Sequence, residues 1–436
     1  MPWSPAAGQK DNVRQAIQTA IAAVEADTPV VQQAMRAALD PPDEAARQAL
    51  RQKFLAEFRA AAQALETEQA PRPGEWFSSH TPLVGLVQSS MAAAFGLTEP
   101  PADQLPPLED YGKLDPRWAE CLFDAWKTSF TGNAPFLVHR SLNDFLAPLP
   151  DTCRVALVAD WGGFNQAAAN VAAQIRAARP HIVIHLGDIY YAGQKNESEE
   201  FLARWPLAAS DGAIPPGTSF ALNGNHEMFS GALPFFEVVL PKFGQKASYF
   251  GLRNTYWQIL GTDTAYVPHC LPNPDDAAAA GAPLVGHQWV WLADKLRNPA
   301  GRETILLSHH QPISAFKDAQ TAGARLKQNA KDLFAAAQVP GVFAWLFGHE
   351  HKCVIYRDGL TPYRARLIGN GCIPHAPAAP QEGCAPVEAI NSAVRPDGIA
   401  KSGFVLLDFA GPSVALQYRN EDGTLFFTEN WLRPGS

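Results

Sequence analysis

The chain has 436 residues, 47% of them hydrophobic and 18% charged, with 35 basic against 43 acidic side chains and a net charge of −8. So much apolar content with so small a net charge excludes disorder as the overall state. The acidic balance argues against a nucleic-acid backbone or an anionic membrane as the main partner.

The 37 prolines exceed the usual ~5%, so Pro-bearing surface segments around a sizeable core are expected. At ~150 residues per domain the length allows two or three domains, or one large α/β unit with an extension. No stretch approaches the ~18 apolar residues of a membrane span. The opening MPWSPAAGQK has neither a basic region nor an apolar run. Six cysteines, at 121, 153, 270, 353, 372 and 384, form no CxxC pair. Together these features predict a cytoplasmic protein with reduced thiols.

Residues 1–150 read as a mostly helical, Pro-rich extension: a cap, a lid or an oligomerisation arm. Asp11 caps a helix to about Asp27, and Thr28-Pro29 opens another to about Leu39. Pro41-Pro42 stops it, and from Asp43 a longer helix places Leu50, Phe54, Phe58, Ala62 and Leu65 on one face. Proline-rich linkers follow, and Asp115-Pro116 starts a helix with Trp118, Leu122 and Trp126 on one side.

From residue 151 to 436 the pattern changes. Short β-branched runs (154–160, 181–188, 219–225, 256–263, 303–310, 342–351 and 365–371) alternate with polar or helical segments, among them a helix over about 165–179 ended by Pro180. The alternation predicts an α/β layered domain. The tail reads as antiparallel strands with a hairpin turn at Asn420 to Gly423.

Each apolar run ends in a metal-ligand type: Asp160, Asp188, Asn225-His226, His309-His310, and His349 with His351. In α/β sheets the carboxyl ends of strands gather on one edge, where sites are built. Acids, an amide and imidazoles brought together there suit a pair of cations. The steps along Asp160, Asp188, Asn225, His309 and His349 are 28, 37, 84 and 40 residues. His309 and His310 compete for one ligand position, with His309 favoured because it directly follows the strand and its serine. His185 reads as a core histidine; His80, His139 and His181 read as surface or loop residues. Trp161 is expected to wall the site, and Cys353 to be structurally buried.

These blocks resemble the calcineurin-like metallophosphoesterase superfamily: Asp160-Trp161-Gly162, Gly187-Asp188, Gly224-Asn225-His226-Glu227, Ser308-His309 and Gly348-His349-Glu350-His351. Gly162 stands where the superfamily usually carries a histidine. The purple acid phosphatase branch shares that departure and compensates with a tyrosine after Gly-Asp, as Gly187-Asp188-Ile189-Tyr190-Tyr191 does here. The resemblance covers about residues 153–372. It implies a layered β-sandwich flanked by helices and a dinuclear, metal-dependent phosphoesterase in which a metal-bound hydroxide attacks a small-molecule phosphate ester. One cation would be held by Asp160, Tyr191 and His351, the other by Asn225, His309 and His349, with Asp188 bridging; Tyr190 competes with Tyr191. The ions would be Fe(III) and a divalent Fe, Zn or Mn. Asp188 and His226 would be catalytic, with His226, His310, Asn370 and His375 as candidate substrate contacts. Other readings are a phosphodiesterase on cyclic nucleotides or phospholipid head groups, and a non-catalytic scaffold with a vestigial metal site. A Ser/Thr protein phosphatase is disfavoured, because GDIYYAG lacks that group's G-D-x-x-D-R-G block.

Overall fold

The computed structural model describes residues 133–279, 281–375 and 377–435, with a few isolated positions upstream. The helices expected in 1–132 lie outside the described residues. Residues 133–228, 232–373 and 377–436 form one compact unit, with 229–231 and 374–376 grouped outside it. β1 (Leu146–Pro148) pairs in parallel with β5 (Phe250–Arg253).

Two sheets make the architecture. The larger has eight strands in the order β1-β5-β6-β7-β8-β10-β9-β11, where β6 is Trp257–Thr262, β7 Glu303–Ser308, β8 Ala344–Phe347, β9 Cys353–Tyr356, β10 Arg364–Ile368 and β11 Val387–Ile390. The smaller has six, β14-β13-β12-β2-β3-β4, where β2 is Thr152–Val158, β3 Ile182–His185, β4 Ser219–Ala221, β12 Gly403–Ala410, β13 Ser413–Asn420 and β14 Leu425–Leu432. β2, β3 and β4 run parallel, as do β6, β7 and β8.

Strand alternation sets the layers. Val155, Leu157, Ile182, Ile184, Ile259, Ile305, Leu307, Ala344, Leu346, Leu407 and Leu416 point into one core shared by both sheets. The alternate residues of the larger sheet, Leu260, Leu306, Trp345 and Phe347, pack in a second core with Trp291, Leu292, Leu326 and Leu333. Those partners come from two long helices on its outer face, Gly286–Arg297 and Lys317–Ala337. The sandwich with flanking helices is therefore observed as expected. The helix after β2 is Gln166–Ala178: Asn165 accepts from the Ala168 amide as its N-cap, Arg179 ends it in a left-handed conformation, and Pro180 follows. The tail forms the antiparallel meander β12-β13-β14, turning at Gly423 with φ 82°.

Candidate metal centre

The parallel strands of both sheets end at one edge, and the polar residues that terminate the apolar runs meet there. Asp160 follows β2, Asp188 follows β3, Asn225 opens a single helical turn (Asn225–Met228) after β4, His309 follows β7, and His349 and His351 follow β8. Two clusters of closely spaced donor atoms result, Asp188/His309/His349 and Asp160/Asp188/His351, with Asp188 common to both.

In the first cluster His309 Nδ1 lies 3.0 Å from the Leu186 carbonyl. A carbonyl only accepts, so Nδ1 carries the hydrogen and Nε2 presents a lone pair. That lone pair faces Asn225 Oδ1 at 2.9 Å, His349 Nδ1 at 3.2 Å and Asp188 Oδ1 at 3.3 Å. Burial holds His309 below its ordinary pKa, which keeps the ring neutral. The Asn225 and Asp188 oxygens and the His309 lone pair repel one another, a conflict that a cation among them would relieve.

The second cluster has the same conflict. The Tyr190 hydroxyl lies 3.0 Å from Asp160 Oδ1, 3.0 Å from Asp188 Oδ2 and 2.8 Å from His351 Nε2. One phenolic hydrogen cannot serve two carboxylates. Burial and then the charge of Asp188 push Asp160 well above the usual carboxylate range; burial and then the two acids do the same to Tyr190. A cation would reverse both penalties, because it favours the anionic forms. The donor set, with two acids, a phenol, an amide oxygen and three imidazoles, thus fits a pair of metal ions.

The hydroxyl that reaches this cluster belongs to Tyr190, the competitor of the expected Tyr191. Tyr191 is seen through its backbone: its carbonyl accepts from His226 Nδ1 at 2.7 Å, and its amide donates to Glu197. Counting residues from Asp188 does not determine which phenol points inward, because the path of the loop decides it. Glu197 anchors that path, accepting also from the amides of Ala192 at 3.0 Å and Gln194 at 2.8 Å.

Gly162, where a histidine was missing from the first block, has no room for any side chain. A Cβ there would come within 2.3 Å of Ile189 Cα and 2.8 Å of the Asp188 carbonyl. Gly224 is equally constrained, since a Cβ would meet Asp188 Oδ1 at 2.2 Å. The glycines let the loops carrying the acids approach each other.

The remaining candidates divide. His226 is buried beside the centre, its Nε2 3.8 Å from Asp188 Oδ2 and its amide donating to Asp188 Oδ1 at 3.0 Å. His310 is fully buried, apart from the Asp188 group, and clusters instead with His269 and His349. Asn370 serves the fold: its amide donates to the Lys401 carbonyl and its carbonyl accepts from Gly403. His375 is buried and is grouped outside the compact unit. Trp161 is buried and donates to the Ala168 carbonyl, packing edge-on against Phe201 and Trp205. His185 is a core histidine as read, and Cys353 is buried. His139, read as a surface or loop residue, lies in a loop and is buried.

Two residues escaped the sequence reading. Glu227 Oε2 accepts from the amides of Asp188 and Gly224, both at 3.1 Å, and so fixes the bridging acid. Its position inside the GNHE block was the available signal. Cys372 ties down the Asp160 turn, its thiol donating to the Asp160 carbonyl at 3.2 Å and accepting from the Gly163 amide.

Among the described residues no helix is long and apolar enough to cross a membrane. No curated protein sequence matches the chain. Solved structures of similar shape include "GAP50 the anchor in the inner membrane complex of Plasmodium", at 12% identity and TM-score 0.49, covering 65% of this chain and 89% of that one. A predicted phosphoesterase from Streptococcus pneumoniae TIGR4 gives 10% identity and TM-score 0.29, covering 65% and 98%. A putative 5′-nucleotidase from Staphylococcus aureus gives 12% and 0.33, covering 64% and 54%. These likenesses decide nothing about activity. The family model described as calcineurin-like phosphoesterase matches residues 153–353, a span that contains every member of both clusters. That segment is similar to calcineurin-like phosphoesterases.

Proposed function

We propose that the chain is a two-metal hydrolase of small phosphate esters, of the kind typified by purple acid phosphatases. The observation that carries this reading is the convergence of acceptor atoms at two points joined by one carboxylate. Asp160, Tyr190 and His351 would hold one ion, Asn225, His309 and His349 the other, and Asp188 both. A phenolate is a hard anionic ligand, which favours Fe(III) beside a divalent Fe, Zn or Mn. When bound, such a pair supplies Lewis acidity and makes water acidic enough to act as a nucleophile near neutral pH.

The chain's own groups do the rest. His226 donates from Nδ1 to the Tyr191 carbonyl, so its Nε2 carries a hydrogen only in the imidazolium form. In that form it can hydrogen-bond a phosphoryl oxygen or protonate the departing alkoxide, a role that contributes ~10²–10⁴-fold. Burial lowers its pKa, so activity should fall as pH rises and the proton leaves. Glu227 and Glu197 keep Asp188 and the tyrosine loop in place.

The test is turnover of an aryl phosphate and a bis-aryl phosphate by protein whose metal content has been measured. Hydrolysis of at least one is expected, and their ratio sorts monoesterase from diesterase. A fully loaded protein that cleaves neither would favour a scaffold with an inert metal site.

A further inference from the structure

We propose that His269, His310 and His349 form a site for a third cation, adjoining the Asp188/His309/His349 group. One ring nitrogen from each residue lies within 4.8 Å of the other two. Zinc–imidazole bonds of ~2.0–2.1 Å need ligand atoms ~3.4 Å apart in a tetrahedron, which small ring rotations supply. The rings lie close together: centroids are 4.0 Å apart for His269–His310, 4.6 Å for His310–His349 and 5.2 Å for His269–His349.

Two of the three nitrogens are unused by the fold. His269 Nδ1 and His310 Nε2 are buried and have no hydrogen-bond partner among the described residues. His310 is oriented from behind, as metal-bound histidines are: its Nδ1 lies 3.0 Å from Thr264 Oγ1, and its amide donates to the same hydroxyl at 3.1 Å. Its Nε2 is left without a hydrogen-bond partner among the described residues. His269 is only half-buried, which gives an ion a way in.

The donor set selects the ion. Three imidazoles with no carboxylate suit zinc, cobalt or nickel rather than magnesium, calcium or manganese. Three protein ligands also leave the fourth position open to water or substrate. His349 is the shared member. An imidazole has ring nitrogens on two edges, and with its last proton passed to solvent the imidazolate can hold one cation at each.

The inference rests on the two-ion reading only through His349, and the experiment separates them. The full chain is stripped with a chelator, loaded with zinc, exchanged into metal-free buffer and analysed for bound metal. Three equivalents are expected for the wild type and two for His269→Ala. Cobalt loading provides an independent readout: the third equivalent should add a visible absorption band that His269→Ala and the gentler His269→Gln both lose. Two equivalents in wild type and variant alike would overturn the third site and leave the pair standing. Three in both would place the extra ion elsewhere and overturn it too. Fewer than two in the wild type would remove both readings.

Discussion

The metal edge and the β12–β14 meander sit in one domain and are built on opposite terms. In the meander, β12 and β13 pair without interruption from Gly403↔Asn420 to Ala410↔Ser413. Along β13 every second residue is buried, and Arg366 forms a close ion pair with Glu429 of β14. No residue of the meander outside the two turn glycines, Gly411 and Gly423, has a positive φ. At the edge, Asp160, Asp188, His349 and His351 all adopt positive φ, at 54°, 74°, 76° and 50°. Each such residue costs of order 1–3 kcal/mol and persists only where its surroundings dictate it. Buried acids and converging lone pairs add to that cost. The edge is therefore stabilised by the rest of the sandwich and contributes binding potential instead of stability.

That contrast breaks most sharply at Asp188. Asp188→Asn removes the one carboxylate common to both clusters, and phosphatase activity should fall by at least ~10³-fold, since the charge stabilisation lost with the metals is worth several kcal/mol. The complementary change is Leu416→Ala in the meander. Leu416 is completely buried, so ~2–5 kcal/mol of stability should be lost with activity per folded molecule unchanged. Activity within tenfold of wild type for Asp188→Asn, or a collapse of specific activity in Leu416→Ala, would erase the distinction.

A finer division lies within the tyrosine loop. With iron loaded, a phenolate–Fe(III) charge-transfer band should colour the protein, and Tyr190→Phe should abolish it. Tyr191→Phe should keep the band, because the contribution seen for that residue is a backbone carbonyl and amide. The reverse result would return the ligand role to Tyr191. A colourless, iron-free yet fully active enzyme would remove the phenolate from the mechanism.

What could be read in advance follows the same contrast. The strands were legible because alternation and flanking turn residues are local properties, and so were the sites that terminate them, each a polar residue ending an apolar run. The helix over Gln166–Ala178 announced itself through Asn165 and Pro180. The choice of phenol was not legible, since it depends on how Glu197, six positions beyond Tyr191, gathers the loop amides. His269 gave no signal, standing alone in a loop whose approach to His310 is set by the parallel pairing of β6 with β7. His139 looked like a loop residue, yet Tyr249 and Trp291 pack against its ring. Short strands such as β9 and β11 form only because neighbours complete them.

The smallest expected effect concerns His185, which lies on β3 just before Asp188 and is wholly buried against Phe201 and Trp161. Neither ring nitrogen has a hydrogen-bond partner among the described residues, and burial lowers its pKa to about 3. The unfolded chain takes up this proton near pH 6.5, whereas the folded chain refuses it until about pH 3. Stability from the neutral ring is therefore complete above pH 6.5 and declines as the pH falls from there towards 3. His185→Phe keeps an aromatic ring in the same aromatic pocket and has no proton to exchange. Its melting temperature should fall less steeply than that of the wild type between pH 6.5 and 4. The slope should shrink but not vanish, because His139 is held down to about 3 by its own burial and binds a proton on unfolding in the same range. Parallel melting curves for variant and wild type across that window would mean that His185 is not carried neutral in the folded core.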